Sequence, residues 1–394
     1  MFDLLKGRGR SVFSSRDAVI YLFNIFRLVG VNPQPNFRIL NFLYGGILTF
    51  AAVFYSPIML TLSWMRYRDI LSMTEILMCI QTNVNTFGLP FKSTMLILSL
   101  ARLRSVEPLL TELDARYTEA RDKAKIRSCA IIGNRIVFFY TLVYMTYAVS
   151  WMISAVLRGH PLFALWIPYV EWQRSTWEYW LQFSFDCTTA LVILFHQVLN
   201  DCYPVVYINI IRTQVQLLAN RVKRLGTVAN KSQEDTNVEL KECIITHQDI
   251  LRLVGNVKPI ISVTMFAQLL ITATILAVTM INIFIFAKAT SRVISIIYLV
   301  NVFLQISTTC YFASCLQTDC ERLSMSIFHC NWVAQDKRFK KMLLYFLQCS
   351  QENIPLFAMK LVSIDLSVIV SIAKFSFTLY TFIQKMGIDR SLKN

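Results

Sequence analysis

Five polar side chains near the end of the chain, Ser367, Ser371, Lys374, Thr378 and Thr381, recur at intervals of four, three, four and three residues. On an α-helix that spacing puts them on one face. They sit in a stretch apolar enough to cross a bilayer, together with Ser363, Asp365, Ser376, Tyr380 and Gln384. A central charge in lipid costs ~2.5–3.5 kcal/mol even on the lenient insertion scale, so Lys374 must meet water or a partner. A wet stripe on a terminal helix suggests a pore built by several subunits. The other reading is small-residue helix packing with the hydroxyls bonded to backbone. Catalytic constellations are missing: there is no His-Glu-x-x-His, Gly-x-Ser-x-Gly or Cys-x-x-Cys, and His160, His196, His247 and His329 stand apart. Cys310, Cys315 and Cys320 step by five, which scatters them around a helix as small buried apolar groups. No cofactor and no metal is implied.

The elements that must carry these groups follow from composition. Of 394 residues, 55% are hydrophobic and 16% charged, against roughly a quarter charged in soluble domains. Mean hydropathy is +0.49. Disorder, collagen, coiled-coil rods and an ordinary soluble enzyme are excluded. A bilayer core of ~30 Å needs about 20 apolar residues per helix, and seven candidates appear: 39–63, 70–100, 133–157, 179–210, 258–287, 293–317 and 361–384. The second and fourth are long enough to project beyond the membrane. The fold class is thus an all-α membrane protein with seven transmembrane helices. The N-terminal stretch lacks a secretory signal pattern. Val19, Leu22, Phe23 and Phe26 share a face between Arg16 and Arg27, which predicts a helix lying on the membrane surface.

A charge of +15 would suggest nucleic acid in a soluble protein; here the distribution reports topology instead. The N-terminal segment and the second, fourth and sixth connections hold 26 Lys and Arg; the other connections and the tail hold 9, and 4 lie within spans. That asymmetry predicts a cytoplasmic N-terminus and an extracellular C-terminus, opposite to a G-protein-coupled receptor. None of the ten cysteines falls in the outer loops 64–69, 158–178 and 288–292. The sequon Asn230-Lys231-Ser232 falls on the inner side and is expected to be unmodified. A transporter would more usually show internal repeats and broken helices, and neither is evident.

The inner connections carry stripes of their own: Ile211, Val215, Leu218, Val222 and Leu225; Leu240, Ile244, His247, Leu251 and Val254; then Trp332, Phe339, Leu343, Phe346 and Ser350. These predict cytoplasmic helical extensions that pack on one another as an anchor region, with His247 a core histidine. The resulting division is a cytoplasmic segment 1–38, spans one to six over 39–317 with an extension at 211–257, an anchor helix in 318–360, and the last span with its tail over 361–394.

Several motifs, in this order, resemble the insect odorant receptor family: Ser15-Arg16-Asp17-Ala18, Asn331-Trp332 before a basic helix, the linker Gln351 to Pro355, and Phe375-Ser376-Phe377-Thr378-Leu379. The chain lacks the long inner insertion of the shared co-receptor, so it looks like a ligand-tuning subunit. The resemblance implies an odorant-gated, non-selective cation channel in the plasma membrane of olfactory sensory neurons. It implies a heterotetramer with the co-receptor, pore-lined by the seventh helices. Carried onto this chain, Thr378, Thr381 and Phe382 take the pore role, Phe382 as a hydrophobic gate, with Lys374 awkward for a cation path on the same face. The odorant site would lie in the outer half among the second, third, fourth and sixth helices. That implies Asn83, Thr86 and Phe87; Tyr144, Tyr147, Ser150 and Trp151; Phe183 and Asp186; and Tyr298. Aromatic walls with few polar groups suit a small volatile ligand held with modest affinity. Ligand, co-receptor and membrane lipid are the expected partners; nucleic acid is not.

Overall fold

The computed structural model describes residues 13–31, 38–67, 73–163, 165, 167, 169–227, 232–286, 289–351 and 354–385. The sequon at Asn230, the linker residues Glu352 and Asn353, and the tail beyond Lys385 lie outside these residues. A 3₁₀ turn at Ser15–Val19 opens α1 (Ile20–Leu28). Next, α2 (Arg38–Thr49) runs through a π-helical stretch, Phe50–Tyr55, into α3 (Ser56–Tyr67). The next two, α4 (Met73–Leu98) and α5 (Leu100–Ala115), are parted only at Ser99. Three long helices follow: α6 (Ala120–Arg158), α7 (Thr176–Lys223) and α8 (Gln233–Ile281), the last extended by a π-turn at Asn282–Phe286. The chain closes with α9 (Ala289–Phe328), α10 (Lys337–Gln351), a hairpin of β1 (Phe357–Ala358) and β2 (Val362–Ser363), and α11 (Leu366–Lys385).

Among the described residues, Leu43–Met65, Ala120–Leu157, Thr176–Lys223, Gln233–Phe286 and Ser295–Phe328 are long and apolar enough to cross a membrane; Leu366–Phe382 is a shorter apolar helix. The 26-residue α4 is also long enough at 1.5 Å per residue, but its buried side carries Gln81, Thr86, Lys92 and Ser93. The last span begins later than 361, because Val362 and Ser363 pair with Ala358 and Phe357. Left-handed Met359 and Lys360 make the tight turn between those strands, and Met359 N–H donates to Ser262 Oγ of α8 at 3.0 Å.

The N-terminal stripe is covered by protein, not by lipid. Val19, Leu22, Phe23 and Phe26 are buried in the main core, against α6 and α7. The motif Ser15-Arg16-Asp17-Ala18 explains why. Asp114 at the end of α5 accepts from Ser15 N–H (2.6 Å), Ser15 Oγ (2.8 Å), Ser14 Oγ (2.8 Å) and Gln214 Nε2 (2.8 Å). Arg16 pairs with Glu107 at 2.7 Å. Buried Asn134 of α6 accepts from Tyr21 N–H and donates to Asp17 O. Ala18 lies so close to Gly133 that a Cβ there would stand 2.7 Å from Ala18 O, so the helices can touch only at glycine.

The helix ends beyond the apolar stretches form a second packed region. Ile211, Val215, Leu218, Val222 and Leu225 are all buried, as are Leu240, Val254, Phe339, Leu343 and Phe346. His247 is buried with its ring edge-on to Phe346 at 5.5 Å. Leu251 and Trp332 depart from the expected stripes: both are exposed, Trp332 because it precedes α10 in the turn that Asn331 builds. Gly226, at φ +71°, ends the fourth-span extension, and Asn331 closes on it: its Nδ2 donates to Gly226 O at 2.9 Å and its N–H to Leu225 O at 3.1 Å. Arg212 with Asp319 (2.9 Å) and Arg116 with Asp249 (2.6 Å) tie neighbouring helices. Asp114→Ala would remove the acceptor from four hydrogen bonds at once. It should lower the stability of the purified protein by about 2 kcal/mol, read as a reduced unfolding midpoint in detergent; an unchanged midpoint would contradict the tie.

Candidate ligand cavity and the uncovered face of the last helix

A cavity of about 170 Å³ lies among α3, α4, α6, α7 and α9. Four of these helices give it one face each at helical spacing. Thr82, Asn85 and Thr86 come from α4, and Tyr144, Tyr147, Ala148 and Trp151 from α6. Ala190, Ile193, Leu194 and Gln197 come from α7, and Tyr298, Asn301, Val302 and Gln305 from α9. Leu60 and the loop residues Leu162 and Phe163 complete the wall. An apolar cavity of roughly 150 Å³ holds benzene, so this one suits a ligand of that order. The aromatic side is built by mutual packing: Tyr147 lies 6.1 Å from Trp151 and stacks on Tyr298 at 6.3 Å, and Trp151 meets Phe163 at 6.3 Å.

The structure brings Thr86, Tyr144, Tyr147, Trp151 and Tyr298 together in this wall. The other residues named from sequence lie elsewhere. Asn83 is half-buried toward Thr61. Phe87 is exposed, and Ser150 is exposed with its hydroxyl donating to Tyr147 O at 2.7 Å. Phe183 stacks on Tyr179 at 6.2 Å. Asp186 holds the outer loop: it accepts from Phe163 N–H (2.9 Å) and Gln182 Nε2 (2.8 Å), while Gln182 also donates to Leu165 O (2.9 Å). On α7 the wall begins at Ala190, seven residues beyond Phe183, or about 10 Å deeper along the helix. Sequence reasoning missed Gln197, Asn301 and Gln305: Asn301 and Gln305 follow Tyr298 by three and seven, one and two turns along its face of α9, whereas Gln197 lies eleven residues beyond Asp186, past the stretch of α7 that the sequence pointed to.

Polar groups converge beneath the aromatic wall. Lys92 of α4 and Asp201 of α7, both buried, approach to 4.0 Å. Asp201 Oδ2 accepts from Tyr144 Oη at 2.7 Å and from Gln197 Nε2 at 2.9 Å; Lys92 Nζ donates to Gln268 Oε1 at 2.6 Å. Gln268 Nε2 in turn reaches Gln305 Oε1 at 3.2 Å. Lone buried charges are untenable in an apolar interior, and here each one is answered by the other and by neutral partners.

The last helix presents a different arrangement. Val368, Ile369 and Ser376 face inward, while Ser367, Ser371, Lys374 and Thr378 are exposed, Thr381 is half-exposed and Phe382 is 58% exposed. The hydroxyls bond backbone within the helix: Ser371 to Ser367 O (3.1 Å), Thr378 to Lys374 O (2.8 Å) and Thr381 to Thr378 O (2.8 Å). Those hydroxyls are therefore satisfied locally, yet the face is left uncovered by this chain. Among the described residues no group of three or more His, Cys, Asp or Glu is placed to hold a metal.

Long apolar helices around an aromatic-walled cavity define a multi-pass membrane protein with room for a small ligand. The fold matches two solved structures of the insect olfactory receptor OR5 from Machilis hrabei. One has a TM-score of 0.75 at 15% identity, covering 93% of this chain and 97% of that one. The other, in complex with eugenol, has a TM-score of 0.72. In sequence, the chain is 33% identical to odorant receptor 42a of Drosophila melanogaster over 96% of its own length and 93% of the relative's, and 31% identical to odorant receptor 42b. The 7tm odorant receptor family model matches residues 72–377, and the chain belongs to that family. It is a receptor, not an enzyme. Tyr144→Phe keeps the wall's shape but removes the hydroxyl from Asp201. It should destabilise the protein by about 2 kcal/mol, as for a hydrogen bond to a charged group; a thermal melt matching wild type would contradict the bond.

Proposed function

We propose that this chain is the odorant-tuning subunit of a ligand-gated, non-selective cation channel, assembled as a heterotetramer with the odorant co-receptor in the plasma membrane of olfactory sensory neurons. The chain crosses the bilayer seven times, with its N-terminus cytoplasmic and its C-terminus extracellular. The observation that carries this reading is a division of labour within one chain. The ligand-sized cavity is lined by this chain's own helices and loop, whereas the polar stripe of α11 has no cover from this chain. A pore between subunits would use such a stripe. The inner helices, packed and cross-linked by ion pairs, suit an anchor where subunits meet.

In this reading an odorant enters the cavity and is held by Thr86, Tyr147, Trp151 and Tyr298, mainly through shape and apolar burial. Occupancy opens the channel only to the extent that the open state binds the ligand better. Thr378 and Thr381 line the conduit, Phe382 closes it by dewetting, and Lys374 turns toward a neighbouring helix. The Lys and Arg asymmetry supports the orientation.

Currents from cells expressing this chain with the co-receptor test the reading across a panel of volatiles. Trp151→Ala enlarges the cavity and should move the optimum toward bulkier odorants, with best-ligand potency falling about tenfold or more; an unchanged ranking would remove the cavity from recognition. Phe382→Ala should raise the resting leak or alter ion preference. A channel indistinguishable from wild type would take that residue out of the gate.

A further inference from the structure

The charged pair beneath the cavity fixes the polarity of the amides above it. A carboxylate can only accept, so Asp201 turns the NH₂ of Gln197 toward itself at 2.9 Å and takes the Tyr144 hydroxyl proton at 2.7 Å. That leaves Gln197 Oε1 as an uncommitted acceptor. An ammonium can only donate, so Lys92 takes Gln268 Oε1 at 2.6 Å and forces the Gln268 NH₂ outward. That NH₂ reaches Gln305 Oε1 at 3.2 Å and Thr272 Oγ1 at 3.4 Å. Gln305 is left with its own NH₂ as an uncommitted donor. Gln197 and Gln305 both line the cavity. The Tyr298 hydroxyl, in a third lining residue, is buried without a hydrogen-bond partner.

Buried polar groups in native proteins are paired, so the Tyr298 hydroxyl, orphaned beside a ligand-sized cavity, points to a ligand with a polar atom, and Gln197 Oε1 and Gln305 Nε2 stand uncommitted on the same wall. We infer that the cavity is specific for small, uncharged molecules carrying a hydrogen-bond-accepting oxygen, which accepts a hydrogen bond from Gln305 Nε2 in a floor oriented by Lys92 and Asp201. A hydroxyl on the ligand gains a second bond by donating to Gln197 Oε1; a carbonyl does not. Charged ligands are disfavoured because Lys92 and Asp201 already answer each other, leaving no net charge to pair with. The inference rests on the cavity being the odorant site and adds what that site selects.

The test uses the purified full-length chain in detergent, with hexane, 2-hexanone and 1-hexanol as probes and binding read from the ligand-dependent rise in unfolding temperature. Gln305→Met, nearly the same shape without the amide, should weaken 1-hexanol and 2-hexanone about tenfold and leave hexane as tight or tighter. Gln197→Met should weaken 1-hexanol several-fold and spare 2-hexanone. Equal changes for all three probes, or binding of none, would overturn the inference. Should both variants misfold, wild type decides: a hexane preference over 1-hexanol as large as their difference in transfer from water to alkane means the oxygen finds no partner. Binding as expected but no current alongside the co-receptor would sink the channel reading alone. Currents with a hydrocarbon response equal to the oxygenated one in wild type and in Gln305→Met would sink only the present inference.

Discussion

Lys92 and Asp201 are the constraint around which the membrane part of this receptor is organised. Neither side chain can reach water, being 1% and 6% exposed, and an isolated charge there would carry a penalty of several kcal/mol. Their approach locks α4 to α7, and their neutral partners recruit α6 through Tyr144, α8 through Gln268 and α9 through Gln305. The helices that wall the cavity are thus joined at its floor by polar contacts with fixed donor and acceptor directions. Apolar packing alone would tolerate rotation of any of them, since one apolar face resembles another.

A second device does the same work at the inner end. Asp114, Asn134 and Gly133 hold the N-terminal turn against α5, α6 and α7, and the Asn331–Gly226 closure holds α9 beside the end of α7. The helix bearing the polar stripe follows a short hairpin seated on Ser262, and its Leu366 N–H donates to Ser314 Oγ of α9 at 3.1 Å. The cavity and the uncovered stripe are separate features of one chain, and α8 and α9 pack against α11 as well as against the cavity helices, so they are the physical link between the two.

Much of the helical layout was legible in the sequence because lipid imposes length and apolarity on a spanning helix, and inner stripes at Ile211 to Leu225 repeat cleanly. Helix ends were less so. The span expected at 361 starts at Leu366, because two residues of it pair in a hairpin that hydropathy cannot register. The N-terminal face of Val19 and Phe26 has the same pattern whether lipid or protein covers it; only Asn134 and Asp114, more than 90 residues away, decide. In the cavity, the aromatics stood out by type, whereas Gln197 and Gln305 became visible only when the fold put them beside Asp201 and Gln268. Asp186, readable from position either as a ligand contact or as a buried structural acceptor, accepts from the backbone of the loop before α7.

The central claim, that a mutually compensating charge pair holds the cavity helices together, is tested most directly by a double-mutant cycle. Unfolding midpoints of purified Lys92→Met, Asp201→Leu and the combined variant would be compared with wild type. Each single change should destabilise by about 3–5 kcal/mol, because it strands one buried charge. The combined change should recover most of that loss. Additive losses in the double variant, or single variants as stable as wild type, would contradict the account.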